Sequence, residues 1–526
     1  MKLANVVTAS LIVSSSTAMS LQAKNSKPNI VYILADDWGY GDVSCLNSKS
    51  KIKTPNTDKL AKQGMIFTDA HSNSAVCTPT RYGVLTGRYA WRSDLKKGVL
   101  WGHHKLLIEP SRMTVASFLK SNGYNTAYIG KWHLGWDWQT KNGKNPNKFN
   151  QGKNQQKDNI DYSKDIKRGP KEVGFDYSYG HVASLDMPPY VYVENGKITA
   201  MPNRETGQRV KYSWWRKGPT GADFKHKDVL ENFTQKGINY IKTHAKKDKP
   251  FFLYLPLAAP HTPILPSKKF KGKSNLSLYG DFVLQVDDTI GRITKAIDNA
   301  GISKNTIIIV TSDNGCSPAA GINEMQKKNH YPSYIYRGHK ADIFEGGHRI
   351  PFIVRWPAKV KANSKCQDTI CLTDLLATTA DILGKKLPDS AGVDSVSILP
   401  DLEDTATKPV REAIVHHSIQ GKFSIRQGDW KLNFCPGSGG WSYPTPGSKA
   451  AKNLPKLQLY NIKEDPAEKN NVVKKHPQIV KKLTLLMKKY IDKGRSTPGK
   501  AQKNNQHGTQ WHGIKEVVDA VKTVTK

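Results

Sequence analysis

The sequence predicts an α/β fold: a large, mostly parallel central sheet flanked by helices, with a smaller C-terminal antiparallel sheet carrying one helix. Three observations carry this. Short continuous apolar runs alternate with helix-periodic segments as far as residue 410. Charged or polar residues stand just past the runs, where an open parallel sheet places its functional loops. Beyond residue 410 the texture changes to short strand-like pieces separated by turns.

Residues 28–35 form a continuous apolar run that ends in Asp36-Asp37, as a buried strand with two carboxylates at its C-terminal end would. Residues 54–64 read as a capped helix, Thr57 leading and Gly64 closing it. A helix over 113–123 precedes a strand over 126–130. A second all-apolar strand, 250–257, runs into Pro260-His261. Phe282, Val286, Ile290, Ile293 and Ile297 give residues 279–300 helical spacing, and Gly301 stops it. Residues 306–311 are nearly all β-branched and end in Ser312-Asp313-Asn314-Gly315. In the C-terminal part, 413–417, 423–427, 430–434 and 457–461 read as strands. A helix over 476–493 puts Ile479, Val480, Leu483, Leu486, Met487 and Tyr490 on one face. The predicted division is a signal peptide over 1–23, a catalytic α/β domain over 24–410, a C-terminal subdomain over 411–499 and a loosely attached basic tail over 500–526. Two segments read as insertions: 139–171, rich in Lys, Asn, Gln and Gly, and the basic 203–228, which holds Trp214-Trp215.

Composition narrows the partners. The 526 residues carry 80 Lys plus Arg against 44 Asp plus Glu, a formal net charge of +36 that attracts polyanions. With 37% hydrophobic residues and 12 Trp, the chain can bury a large core. Six cysteines in this length exclude a disulfide scaffold. Cys366 and Cys371 are close enough in sequence to pair, which spacing alone does not establish. No long apolar run follows the N-terminus, so no integral membrane segment is expected. Met1-Lys2, the mostly apolar stretch 3–19 and small residues over 20–23 read as a secretory signal peptide. The expected location is periplasmic or secreted. Export argues against nucleic acid as the polyanion and for an acidic polysaccharide.

The chemistry concentrates in Cys77-Thr78-Pro79-Thr80-Arg81, continued by Leu85-Thr86-Gly87-Arg88. Taken alone, Cys-x-Pro-x-Arg is equally an activated thiolate beside an arginine or a half-buried cysteine with a surface arginine. Asp36-Asp37 alone reads as a turn and helix cap. Together with Asp313 and Asn314 it makes a set of hard oxygen donors that suits Ca²⁺, while no compact Cys/His cluster has zinc spacing. Lys131 and His133 in Gly130-Lys131-Trp132-His133 share a side if the backbone stays extended. His261 and Lys340 are unremarkable singly.

The longer stretch from Cys77 to Arg88 resembles the signature of the type I sulfatases, in the alkaline-phosphatase superfamily. The segments around Asp36, Lys131, His261, Asp313 and Lys340 follow in that family's order, across 27–355 and more weakly to 489. The resemblance implies an alkaline-phosphatase/sulfatase-like fold and hydrolysis of sulfate esters. It implies that a formylglycine-generating or sulfatase-maturating enzyme converts Cys77 to Cα-formylglycine (3-oxoalanine), whose hydrated aldehyde is the nucleophile. A calcium ion would be held by Asp36, Asp37, Asp313, Asn314 and the modified Cys77. Lys131 and Lys340 would hold sulfate oxygens, and Arg81 would support the nucleophile and metal shell. His261, assisted by Lys340, would protonate the leaving oxygen, and His133 would take the proton that expels sulfate. The substrate expected is a sulfated oligo- or polysaccharide: a marine galactan such as carrageenan first, a glycosaminoglycan second. Arg92, His181, Trp214, Trp215 and Arg216 are the expected substrate contacts, because aromatic faces stack on sugar rings and cations meet sulfates. The alternatives are a phosphoester or phosphonate monoester hydrolase of the same superfamily and a non-catalytic sulfated-glycan-binding protein.

Overall fold

The structure is a computed structural model that describes residues 27–147, 158–505 and 512–525. The expected signal peptide and part of the first insertion lie outside the described residues. The central sheet has ten strands: β1 (Asn29–Asp36), β2 (Met65–Phe67), β3 (Asn125–Lys131), β4 (Tyr177–His181), β5 (Val193–Glu194), β6 (Lys197–Ile198), β7 (Phe251–Pro260), β8 (Thr306–Ser312), β9 (Phe352–Arg355) and β10 (Ser364–Cys366). Their spatial order is β10-β2-β9-β8-β1-β7-β3-β4-β5-β6. The five central strands, β8, β1, β7, β3 and β4, run parallel. Antiparallel pairing appears only toward the flanks, at β8–β9, β9–β2, β4–β5 and β5–β6.

The continuous apolar runs reflect a sheet covered on both faces. Ile30, Tyr32 and Leu34 of β1 enter one core, while Val31, Ile33 and Ala35 enter the other. The second core is closed by α1 (Pro55–Lys62), α4 (Val229–His244) and α5 (Leu278–Asn299). The first is closed by α2 (Cys77–Thr86), α3 (Val115–Ser121) and α6 (Leu375–Ile382). α1 starts at Pro55, not at the expected Thr57. Proline is suited to the first helical position, and Thr57 is drawn inward, its hydroxyl donating to Asp287 Oδ1 at 2.7 Å.

A four-stranded antiparallel sheet, β11 (Ile414–His417), β12 (Phe423–Gln427), β13 (Trp430–Asn433) and β14 (Gln458–Asn461), packs under α7 (Pro477–Asp492). The C-terminal tail departs from expectation. α8 (His512–Val524) is an amphipathic helix whose Val517 and Ala520 are buried in the same small core. Ile514, Val517 and Val524 make a helical stripe that the surrounding lysines mask in composition. A clasp of buried ion pairs joins this sheet to the body built on the ten-stranded sheet. Arg426 is bidentate on Asp69 at 2.9 and 2.8 Å, and Lys431 lies 3.0 Å from both Glu345 and Glu468. His71, His348 and His416 stack between them, the last two with ring centroids 3.7 Å apart. All six cysteines are free thiols, Cys366 and Cys371 included.

Candidate active site

Four neighbouring parallel strands deliver the site. At their C-terminal ends β1 presents Asp36 and Asp37, β8 leads to Asp313 and Asn314, β3 ends at Lys131 before His133, and β7 ends before His261. α2 begins at Cys77 and is buried on every side, which explains why no amphipathic period marks it. Its C-terminus is closed by Gly87, whose φ of 60° suits a residue without a Cβ.

These residues form one buried network. Arg81 donates from Nε and Nη2 to Asp313 Oδ2 at 3.0 and 2.8 Å, and from Nη1 to the Lys131 carbonyl at 2.7 Å. Lys131 Nζ donates to Asp36 Oδ2 at 2.6 Å and to Ser184 Oγ at 3.3 Å. Lys340 Nζ donates to both oxygens of Asp37, at 2.6 and 2.8 Å, and lies 3.5 Å from Cys77 Sγ. Cys77 Sγ is in turn 3.6 Å from Asp36 Oδ1. His261 Nε2 is 3.6 Å from Asp37 Oδ2, and its ring meets Ser184 Oγ at 3.3 Å.

Burial alone would raise Asp36, but Lys131, His261 and Arg81 outweigh it and hold its carboxyl well below the usual range. Asp313 goes the other way: burial, with Asp36 next, pushes it up to about 6. Burial also pushes the Cys77 thiol up to about 12 despite Lys131 and Lys340, the opposite of what an activated thiolate needs. His133 is held well below its usual value by burial and then by Lys131 and Arg81. Its Nε2 bonds the Leu100 carbonyl at 2.8 Å and therefore carries the hydrogen, leaving Nδ1 as a buried lone pair with no protein partner. His261 is lowered by burial and by Lys340, with Asp37 pulling against them.

The donor set fits a hard divalent cation. Three carboxylates and one amide converge, and Asp36, Asp37, Cys77 and His261 can each bring a donor atom within 4.8 Å of the others. Asn314 Nδ2 donates to Asp37 Oδ1 at 2.7 Å, which leaves Asn314 Oδ1 buried without a partner. Oxygen donors of this kind suit calcium.

The expected substrate contacts divide. Arg216 is sandwiched between Trp101 and Trp214, 4.8 and 5.0 Å from the ring centroids, and is paired with Asp186. Trp215, next along the strand Trp215–Gly221, faces the other way and stacks on His226 at 4.1 Å. His181 is buried against Phe233 of α4, with ring centroids 5.7 Å apart. Arg92 is withdrawn from any cleft. It is fully buried, bidentate on Asp394 at 2.9 Å, and donates to the Tyr490 carbonyl at 3.0 Å. Every guanidinium nitrogen is spent within the fold, which leaves Arg92 no free donor for a substrate. Ser184, three residues beyond β4, bridges Lys131 and His261; the stretch 184–190 resembles that of polysaccharide sulfatases, but the sequence assigns Ser184 no role of its own.

A family model described as Sulfatase matches residues 28–385. An N-acetylgalactosamine-6-O-sulfatase of Bacteroides thetaiotaomicron is 36% identical over 502 residues, covering 88% of this chain and 93% of that protein. An N-acetylgalactosamine-6-sulfatase of Mus musculus is 27% identical over 480 residues, covering 87% and 84%. Among solved structures, a sulfatase from glycosaminoglycan metabolism by Bacteroides thetaiotaomicron superposes with a TM-score of 0.76 at 35% identity, over 88% of this chain and 99% of that one. Family match, fold and site agree: the chain belongs to the sulfatase family, and it is a sulfuric ester hydrolase.

Proposed function

We propose that the chain releases inorganic sulfate from a sulfated carbohydrate, using a calcium ion and a formylglycine made from Cys77 by a maturating enzyme. The observation that carries this is the convergence of Asp36, Asp37, Asp313 and Asn314 on Cys77 among the buried cations Arg81, Lys131 and Lys340. Those four residues and the modified Cys77 would hold the ion. Bound there, calcium would polarise the nucleophile and one sulfate oxygen, and the hydrated aldehyde would supply that nucleophile. The chain's own groups do the rest. Lys131 and Lys340 offer ammonium groups to a tetrahedral anion beside Cys77, and Arg81 fixes Asp313 and the end of β3. His261 would protonate the departing sugar oxygen as the imidazolium, a form that Asp37, 3.6 Å from its Nε2, favours. His133, with Nδ1 unprotonated, is placed to accept a proton.

The first substrate to test is an N-acetylgalactosamine 6-sulfate, on the strength of the 36% identical relative. Carrageenan comes second, because the neighbour bound to k-i-k-neocarrahexaose shares only 23% identity and speaks to the fold. The Arg216, Trp101 and Trp214 stack supports a sugar-binding wall. The apolar stretch before residue 24 supports export.

The test is mass spectrometry of the tryptic peptide containing Cys77, alongside sulfate release from both glycans and phosphate release from a phenyl phosphate. The expected outcome is the mass loss of thiol-to-aldehyde conversion, tracking sulfate release. Full activity from protein whose Cys77 is unmodified would overturn the cofactor, and faster phosphate than sulfate release would overturn the substrate class.

A further inference from the structure

The segment that carries Lys340 is flanked by exposed aromatic residues that the chemistry does not use. Nine large hydrophobic side chains are exposed among the described residues, and five of them lie here: Tyr331, Tyr334 and Ile335 before Lys340, and Trp441 and Tyr443 on a loop docked behind it.

Trp441 is the best anchored of the five. Its backbone N–H donates to Asp342 Oδ1 at 2.8 Å, and that of Ser442 donates to the same oxygen at 3.0 Å. The other oxygen of Asp342 accepts the His339 N–H at 3.0 Å, so one carboxylate fixes both the Trp441 loop and the residue before Lys340. Ile343 N–H bonds the Ser438 carbonyl at 2.8 Å. At Gly440 a Cβ would lie 2.3 Å from the Ala341 carbonyl, so only glycine lets the loop come this close. A 44%-exposed indole is thus held on a rigid loop one hydrogen bond from Asp342, two residues from the lysine that touches Cys77. A cation stands on the same rim. Lys97 is exposed beside Gly98, whose N–H bonds the Ile419 carbonyl at 2.7 Å, and Ile419 N–H bonds the Ala341 carbonyl at 3.0 Å.

We propose that Trp441 is the stacking platform for the pyranose ring next to the sulfated one, with Lys97 meeting the acidic group of that ring, so that the preferred substrate is a sulfated oligosaccharide and not a free sulfated monosaccharide. The proposal rests on the sulfated-carbohydrate function above. A rigid aromatic face gives large contact area at low entropic cost, and the net charge of +36 matches an anionic chain. The Trp441 loop belongs to the C-terminal subdomain, which gives that subdomain a part in specificity.

The test compares kcat/KM of the matured full-length protein on N-acetylgalactosamine 6-sulfate and on a tetrasaccharide ending in that residue. The tetrasaccharide should be preferred about tenfold or more, the contribution expected of an aromatic anchor. In Trp441→Ala the ratio should fall toward one, and in Trp441→Phe most of it should return. A merely misfolded variant lowers both rates and leaves the ratio. Equal rates in the wild type, or a preference that survives in Trp441→Ala, overturn the proposal. Should no sulfate be released from either compound, the function above fails, and calorimetry judges Trp441 separately. Cys77→Ala protein should bind the tetrasaccharide about tenfold more tightly than the Cys77→Ala, Trp441→Ala double variant. Equal binding by the two overturns the subsite.

Discussion

Replacing Arg92 by alanine tests whether this residue belongs to the fold or to the substrate. In the structure its Nε and Nη2 donate to Asp394 at 2.9 Å, and its Nη1 donates to the Tyr490 carbonyl and to Asn504 Oδ1, both at 3.0 Å. Asp394 would keep the N–H groups of Tyr89 and Ser496 and the Ser496 hydroxyl, but it would lose the counter-charge of Arg92 while fully buried. Removing one partner of a buried pair costs about 3–5 kcal/mol, since the remaining charge is left uncompensated. Unfolding entropy of ~2.1 cal/mol/K per residue over roughly 500 residues is ~1 kcal/mol/K, so Tm should fall by about 3–5 °C. Arg92→Lys, which keeps the charge and loses the fork, should fall between the two. Scanning calorimetry measures the shift, and steady-state kinetics on a sulfated sugar should show KM within about twofold of wild type, within the usual scatter of single-site effects. An unchanged Tm with KM raised tenfold would refute the structural assignment and return Arg92 to the substrate cleft.

Two further outcomes follow from the buried charges. Exhaustive chelation should abolish sulfate release and lower Tm, with calcium restoring both; an ion at 100 times its Kd contributes about 2.7 kcal/mol. Activity that survives in protein shown by elemental analysis to be metal-free would exclude the Asp36, Asp37, Asp313 and Asn314 set as an essential ion site. Acid should destabilise the fold through its neutral histidines. Burial holds His181 and His226 down to about 3 and His417 down to about 4. Above about pH 6.5 both folded and unfolded forms of these groups are neutral, so they contribute nothing to the pH dependence. Below it only the unfolded chain binds the proton until the folded value is reached. Each histidine therefore removes ~1.4 kcal/mol per pH unit, and the three together about 6 kcal/mol at pH 5. Urea denaturation at pH 7, 6 and 5 checks this, and a midpoint that stays constant would contradict it.

What the sequence made legible was whatever a short range of residues encodes. The Asp36-Asp37 and Asp313-Asn314 pairs stood out because each closes an apolar run, and burying both faces of β1 and β8 demands such a run. Helix α5 was legible because it is covered on one side only. Helix α2 was not, since all ten of its residues are buried and no period of polar positions survives. Arg92 reads in the sequence as a substrate contact because its buried partner, Asp394, lies 302 residues away and no local pattern points to it. The clasp histidines escaped for the same reason: His71, His348 and His416 come from three distant segments and share no spacing. Tail helix α8 was hidden by composition, its apolar stripe outnumbered by polar neighbours.

The positive excess and the chemistry occupy different parts of the molecule. In the site, Asp36, Asp37 and Asp313 face Arg81, Lys131 and Lys340, three charges against three. In the clasp, Asp69, Glu345 and Glu468 face Arg349, Arg426 and Lys431 in the same proportion. Burial forces this balance, because an unpaired interior charge would be expelled or neutralised. The net charge of +36 therefore has to reside on the surface, where its reach is a Debye length of about 8 Å at physiological salt. Such a surface gathers anionic chains without distinguishing them. On the function and the subsite we propose, discrimination falls to fixed groups such as the Arg216 stack and the Trp441 loop, and turnover to the balanced cluster around Cys77.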